Sequence, residues 1–135
     1  MFDDIVFLYV EDDKNSQRLM SLFMDKVLKA KELILFGDSH NFLERLHDLA
    51  VMPDVILLDI QVEPLCGFEM IRLLRQSPMY QDKKVIALTA SVMNHEVKKL
   101  RTAGFDGTIS KPLAMPVFPE LMKRVVKGEP VWHMA

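Results

Sequence analysis

The sequence predicts an α/β fold: a doubly wound, five-stranded parallel sheet of order 2-1-3-4-5, covered by five helices. Three observations predict it. Strand-like and helix-like segments alternate five times between residues 4 and 127, a pattern that argues for a parallel sheet with helices on both faces. The strand-like runs, such as Val55-Ile56-Leu57-Leu58, are unbroken apolar stretches, as expected of strands buried on both sides. Right-handed crossovers between successive strands then make this topology the natural one.

Strand 1 covers about Ile5–Val10, β-branched and aromatic. Helix 1 follows at about Lys14–Ala30, with Asp13 as its N-cap and Leu19, Leu22, Phe23 and Val27 at helical spacing. Strand 2, about Leu33–Phe36, is stopped by Gly37-Asp38. Helix 2 begins after Asp38 or Ser39 and carries Phe42, Leu43, Leu46 and Leu49. Pro53 breaks the chain ahead of strand 3, Val55–Leu58. The loop Ile60–Cys66 leads to helix 3 at about Gly67–Gln76, which Ser77-Pro78 ends. Strand 4 is Lys84–Leu88, helix 4 is about Asn94–Ala103 with Gly104 as its stop, and strand 5 is about Gly107–Ser110. The last helix ends near Lys127 and starts somewhere between Pro116 and Pro119, since each proline is tolerable only near a helix beginning. Residues 4–127 thus form one flavodoxin-like domain with no room for a second. Residues 128–135 read as a short tail, in which Trp132 either packs back or mediates association.

Composition narrows the function. A chain of 135 residues that is 50% hydrophobic supports one sizeable core. A net charge of −2 gives no footprint for nucleic acid, and Lys98-Lys99-Leu100-Arg101 reads as a solvated helix face. No apolar stretch reaches the length of a membrane span, and Met1-Phe2-Asp3-Asp4 lacks the basic and apolar regions of a signal peptide. The lone cysteine, Cys66, excludes an internal disulfide and a cysteine-rich zinc site. These features fit a cytoplasmic protein. The 10 methionines read as gap-fillers of the core. His40, His47, His95 and His133 have no metal-ligand spacing and read as surface or packing residues.

The polar residues that close the strands point to chemistry. Asp59 ends strand 3, Glu11-Asp12-Asp13 ends strand 1, Thr89 ends strand 4, and Lys111-Pro112 ends strand 5. In a parallel sheet these ends share one edge, where ligands bind. Two or three acids, a hydroxyl and a lysine around Asp59 suit a divalent cation and a phosphoryl group. Four motifs, "YVEDD", "DVILLDIQ…CG", "VIALTAS" and "GTISKPL", occur in order across essentially the whole chain. In this the chain resembles the response-regulator receiver (CheY-like) domain of two-component signalling.

The resemblance implies specific roles. Asp59 would accept a phosphoryl group from a sensor histidine kinase or a histidine phosphotransfer protein. Mg²⁺ would be held by Asp12 directly, Glu11 through water, Asp59, and the backbone carbonyl of Gln61. Thr89 would hydrogen-bond a phosphoryl oxygen, with Ala90 leaving access. Lys111 would pair with the phosphoryl and, before it arrives, with Asp59; the peptide bond to Pro112 is typically cis. Ser91 would face the site and tune phosphoryl lifetime with Gln61. Asp13 reads as a helix cap rather than a ligand, and Cys66 as a small loop residue. The phosphodonor would dock around Asn15, Arg18 and Pro112-Leu113, and the face from helix 4 to helix 5 would bind an unidentified downstream protein. The chain would be a stand-alone receiver, a monomer or a phosphorylation-dependent dimer.

Two positions depart from the family pattern. Thr108 stands three residues before the lysine, where the family usually has a tyrosine or phenylalanine that swings inward on phosphorylation. Glu63 stands where proline is common, with Pro64 next. They motivate an alternative, a degenerate receiver acting as a phosphorylation-independent adaptor. A third reading, a phosphohydrolase with Asp59 as nucleophile, lacks the second acid two residues on, because Gln61 occupies that place and cannot act as a general acid.

Overall fold

A computed structural model of the chain describes residues 2–90 and 94–133; the side chains of residues 94, 95 and 133 lie outside that description, as does Ser91. The elements run β1 (Val6–Val10), α1 (Lys14–Leu22), a π-helical continuation (Phe23–Leu28), β2 (Glu32–Phe36), α2 (Phe42–His47) and β3 (Val55–Asp59). They continue as α3 (Gly67–Gln76), β4 (Lys84–Thr89), α4 (Asn94–Ala103), β5 (Gly107–Ser110), α5 (Phe118–Val126) and β6 (Val131–His133). The sheet has six parallel strands in the order β2-β1-β3-β4-β5-β6. The expected order 2-1-3-4-5 is intact, and the segment expected to be a tail adds a sixth strand beside β5.

Side chains of each strand alternate between two cores. Phe7, Tyr9, Leu57, Leu88 and Ile109 face α1 and α5, where Met20, Phe23, Phe118 and Met122 meet them. Leu8, Val10, Ile56, Leu58 and Ala87 face α2, α3 and α4, against Phe42, Met70, Leu74 and Leu100. Each large side chain so buried contributes roughly 1.5–3 kcal/mol against conformational entropy. Met20, Met24, Met70 and Met122 are buried gap-fillers, whereas Met79 and Met115 are exposed.

The first helix differs from expectation. Leu19, Leu22 and Val27 are partly exposed, and Met20, Phe23, Met24 and Leu28 form the buried face. The wider π turn from Phe23 rotates the following side chains relative to an α-helical continuation, so a single 3.6-residue period does not describe this segment. At the starts of α1, α3 and α5 local chemistry is plain. Asp13 caps α1 by accepting from the Ser16 N–H at 2.8 Å. Cys66 is the N-cap of α3, and the Glu69 carboxylate accepts from the Cys66 N–H at 3.0 Å. Helix α5 begins at Phe118 with Pro119 in its first turn, which settles the start left open between the two prolines.

Candidate functional site

The carboxyl ends of β1, β3, β4 and β5 converge as the parallel registers require. Val10 pairs with Leu58, Asp59 with Leu88, and Thr89 with Ser110, so Glu11, Asp59, Thr89 and Lys111 emerge at one edge. The loops are tied there by main-chain bonds: Glu11 N–H to the Phe36 carbonyl at 3.0 Å, Ile60 N–H to Leu88 at 3.2 Å, and Lys111 N–H to Thr89 at 2.8 Å. Oxygen atoms of Glu11, Asp12 and Asp59 lie within 4.8 Å of one another. Glu11 and Asp59 are buried, while Asp12 is exposed. Three hard oxygens at this spacing, one of them open to water, fit a divalent cation that keeps several waters, as Mg²⁺ does.

Each buried carboxylate has a defined set of partners. Asp59 Oδ1 accepts the Gln61 N–H at 3.1 Å, and Oδ2 faces Lys111 Nζ at 3.3 Å. Lys111 also contacts Glu11 Oε1, so its charge is divided between two acids rather than given to Asp59 alone. Glu11 Oε1 accepts in addition from the Tyr9 hydroxyl at 2.8 Å, and Oε2 accepts from the Asp13 N–H at 3.2 Å. Gln17 Nε2 donates to the Glu11 carbonyl at 2.6 Å. Thr89 is half-buried and lines, with Ile60, Gln61, Phe68, Lys99 and Leu100, a cleft of about 150 Å³ between the edge and α4.

Burial and charge pull the two acids apart. Burial raises the Asp59 carboxyl from 3.8 to about 6, and the neighbouring Glu11 adds to the rise, against the Gln61 N–H and Lys111. Burial also disfavours the Glu11 charge, but hydrogen bonds with Asp59, Lys111 and Tyr9 outweigh it and hold Glu11 down at about 2. Lys111 stays firmly charged: burial opposes that charge, and Glu11 and Asp59 overcome it. Below about pH 6 the pair is therefore one proton short of full ionisation. A cation among the three oxygens would favour ionisation of all of them.

Tyr9 is a residue that the sequence reading passed over. Burial, then the Glu11 charge, push its phenol far up, so it remains a donor that fixes the Glu11 carboxylate. The signal was available, since residues i and i+2 of a strand share a face. Cys66 serves as a helix cap, and Asp13 is engaged with Ser16 and Glu11. Glu63 is exposed, and both the Glu63–Pro64 and Lys111–Pro112 bonds are cis.

Comparison with known proteins places this site in context. A family model described as the response regulator receiver domain matches residues 7–125. The polar-differentiation response regulators DivK of Brucella ovis and Brucella anthropi are 37% and 38% identical to the chain over 71 residues. That stretch is 53% of this chain and 58% of each relative, so the chain spans little more than half the length of the relatives it matches. Among solved structures, chemotaxis response regulator CheY4 of Vibrio cholerae superposes with a TM-score of 0.79 at 20% identity, covering 90% of this chain and 98% of that one. The signal receiver domain of a DNA-binding response regulator from Colwellia psychrerythraea gives 0.77 at 23%, covering 92% and 99%. These structural likenesses concern the fold.

Proposed function

The chain belongs to the response regulator receiver family, and from that premise we propose that Asp59 is its phosphoacceptor. The phosphodonor is a sensor histidine kinase or a histidine phosphotransfer protein. An Asp59 carboxylate oxygen attacks phosphorus as the P–N bond of phosphohistidine breaks, giving an acyl phosphate; water later returns Asp59 and inorganic phosphate. The observation that carries this reading is the convergence of Glu11, Asp12, Asp59 and Lys111 at one sheet edge. Asp12, Asp59 and the Gln61 carbonyl would hold Mg²⁺ directly and Glu11 through water, and the cation would offset repulsion between the acids and the incoming phosphoryl dianion. Thr89 donates to a phosphoryl oxygen, and Lys111 exchanges its carboxylate partners for the phosphoryl.

Residues 4–127 are the receiver. The protein signals by binding another protein and is not an enzyme beyond its own phosphorylation and dephosphorylation. Among the described residues no helix is long and apolar enough to cross a membrane, and a cytoplasmic location follows from the proposed donor. The donor docks beside the site on α1 and the β5–α5 loop, where Ser16, Leu19, Ala90, Lys111, Pro112 and Leu113 line a cleft of about 250 Å³. Leu22 of α1 and Met115 of the β5–α5 loop are each more than half exposed and add apolar surface to these two segments.

Incubation with a small-molecule phosphodonor and Mg²⁺ tests the reading. Wild type gains the mass of one phosphate, and Asp59→Asn gains none. Folded wild type that never gains phosphate under these conditions would make the adaptor reading the better one, with equal partner affinity for both proteins.

A further inference from the structure

Strand β6 is fitted to its place from both faces. A Cβ on Gly107 would lie 2.2 Å from the Val131 carbonyl oxygen and 3.2 Å from Ile86 Cδ1, so glycine is what admits the strand. Val131 is fully buried in the core shared with α1 and α5. Arg124 Nη2 donates to the Pro130 carbonyl at 3.1 Å and holds the approach to the strand.

On the opposite face, the register sets Trp132 directly beside Thr108. Trp132 packs on the core that faces α3 and α4, and the Arg101 guanidinium of α4 lies over its ring at 4.7 Å. Thr108 is fully buried, and its hydroxyl donates to the Ala87 carbonyl at 3.0 Å. A small side chain on β5 and a large ring on β6 thus form one packed unit, in which the tail supplies the aromatic bulk that β5 lacks. Both ends of this unit lead toward Thr89. Ala87 stands two residues before Thr89 on β4, and α4 contributes Lys99 and Leu100 to the cleft that Thr89 lines.

We propose that docking of β6 is thermodynamically linked to filling of the Asp59 site, with the docked strand belonging to the unphosphorylated arrangement. This rests on Asp59 being the phosphoacceptor. A phosphoryl group draws Thr89 and Lys111 toward it; Lys111 directly follows β5, the strand that pairs with β6, and Thr89 ends β4 on the other side of β5. Lys111 then leaves Glu11, and α4 shifts against the Trp132 ring. A contact fitted to one arrangement is weakened by departure from it, so phosphorylation loosens β6 and uncovers the β5 edge and the flank of α4. Linkage is reciprocal: whatever loosens β6 must favour the filled site by the same factor.

Trp132 is the single tryptophan of the chain, so its emission reports on β6 without labelling. The wild-type 135-residue chain is titrated with beryllofluoride in the presence of Mg²⁺, following both Trp132 emission and the fluorine resonances of the bound mimic. The expected result is a red shift of emission that saturates together with the bound fluorine signal. Trp132→Ala and Gly107→Ala, which loosen the strand by different means, should each bind the mimic about fivefold more tightly. A bound fluorine signal with unmoved emission and wild-type affinity in both variants overturns the linkage while leaving the acceptor reading intact. Wild type that shows no bound fluorine signal overturns the acceptor reading and the linkage with it.

Discussion

The Asp59 edge and the β5–β6 seam are both buried, yet opposite forces hold them. At the edge, two buried carboxylates share one lysine, and the Asp59 carboxyl is pushed up to about 6 because burial and Glu11 disfavour its charge. At the seam there is no comparable charge on β5 or β6: Val131 fills a core position and Gly107 leaves space for its carbonyl. The edge stores unfavourable electrostatics that a cation or phosphoryl group can relieve, whereas the seam is a matter of volume. The difference teaches which perturbations each region should feel.

The largest effect is expected from Lys111→Met. It leaves Glu11 and Asp59 facing each other without a counter-charge, which should cost about 3 kcal/mol of stability at pH 8 without Mg²⁺. Loss of the cation raises Asp59 further, so the variant takes up a proton more readily and recovers much of the loss by pH 5. Urea unfolding at the two pH values checks this, and a pH-independent loss would break the contrast. Val131→Ala should cost about 2 kcal/mol, and by the same amount at both pH values and with or without Mg²⁺. A loss that titrates near pH 6 would show that the seam is electrostatic after all.

Asp59→Asn should act in the other direction. The folded value of Asp59 lies above its ordinary 3.8, so the cost of ionising it is absent below about pH 4, grows between 4 and 6, and is full above 6. Replacing it with a neutral side chain should therefore stabilise the metal-free protein by about 1–2 kcal/mol at pH 8. The advantage should vanish as the pH falls toward 4 and shrink when Mg²⁺ is added. Thermal unfolding across that range measures it, and a variant less stable than wild type at pH 8 would contradict the assignment. Tyr9→Phe is the smallest change, about 1 kcal/mol, because Glu11 loses one of several donors. A weaker Mg²⁺ affinity measured by calorimetry should accompany it if the hydroxyl positions Glu11.

The same contrast explains what could be read from the sequence. Val55–Leu58 and Lys84–Leu88 are buried on both faces, so their apolar runs announce strands directly, and the polar residue at each end marks the edge. The convergence of Glu11, Asp12, Asp59 and Lys111 follows from parallel order alone. Strand β6 was not legible, because a strand of only three residues, Val131–His133, carries no periodicity, and its register depends on steric room at Gly107. In the first helix the π turn at Phe23–Leu28 departs from the 3.6-residue spacing, and there Val27 lies exposed while Leu28 is buried. The sharing of Lys111 between Glu11 and Asp59 is likewise a three-dimensional fact, set by the approach of β1 to β3 and β5.

Parallel pairing of β6 has a practical corollary for handling the molecule. The family match ends at residue 125, and a chain trimmed there would lose Val131–His133 and bare the β5 backbone. Gly107 and Thr108 carry no charge or proline that would discourage a foreign strand from adding to that border. A preparation shortened to the family boundary should self-associate on concentration, while the 135-residue chain keeps its own short strand over the same hydrogen-bonding groups. Light scattering of the two side by side would show it.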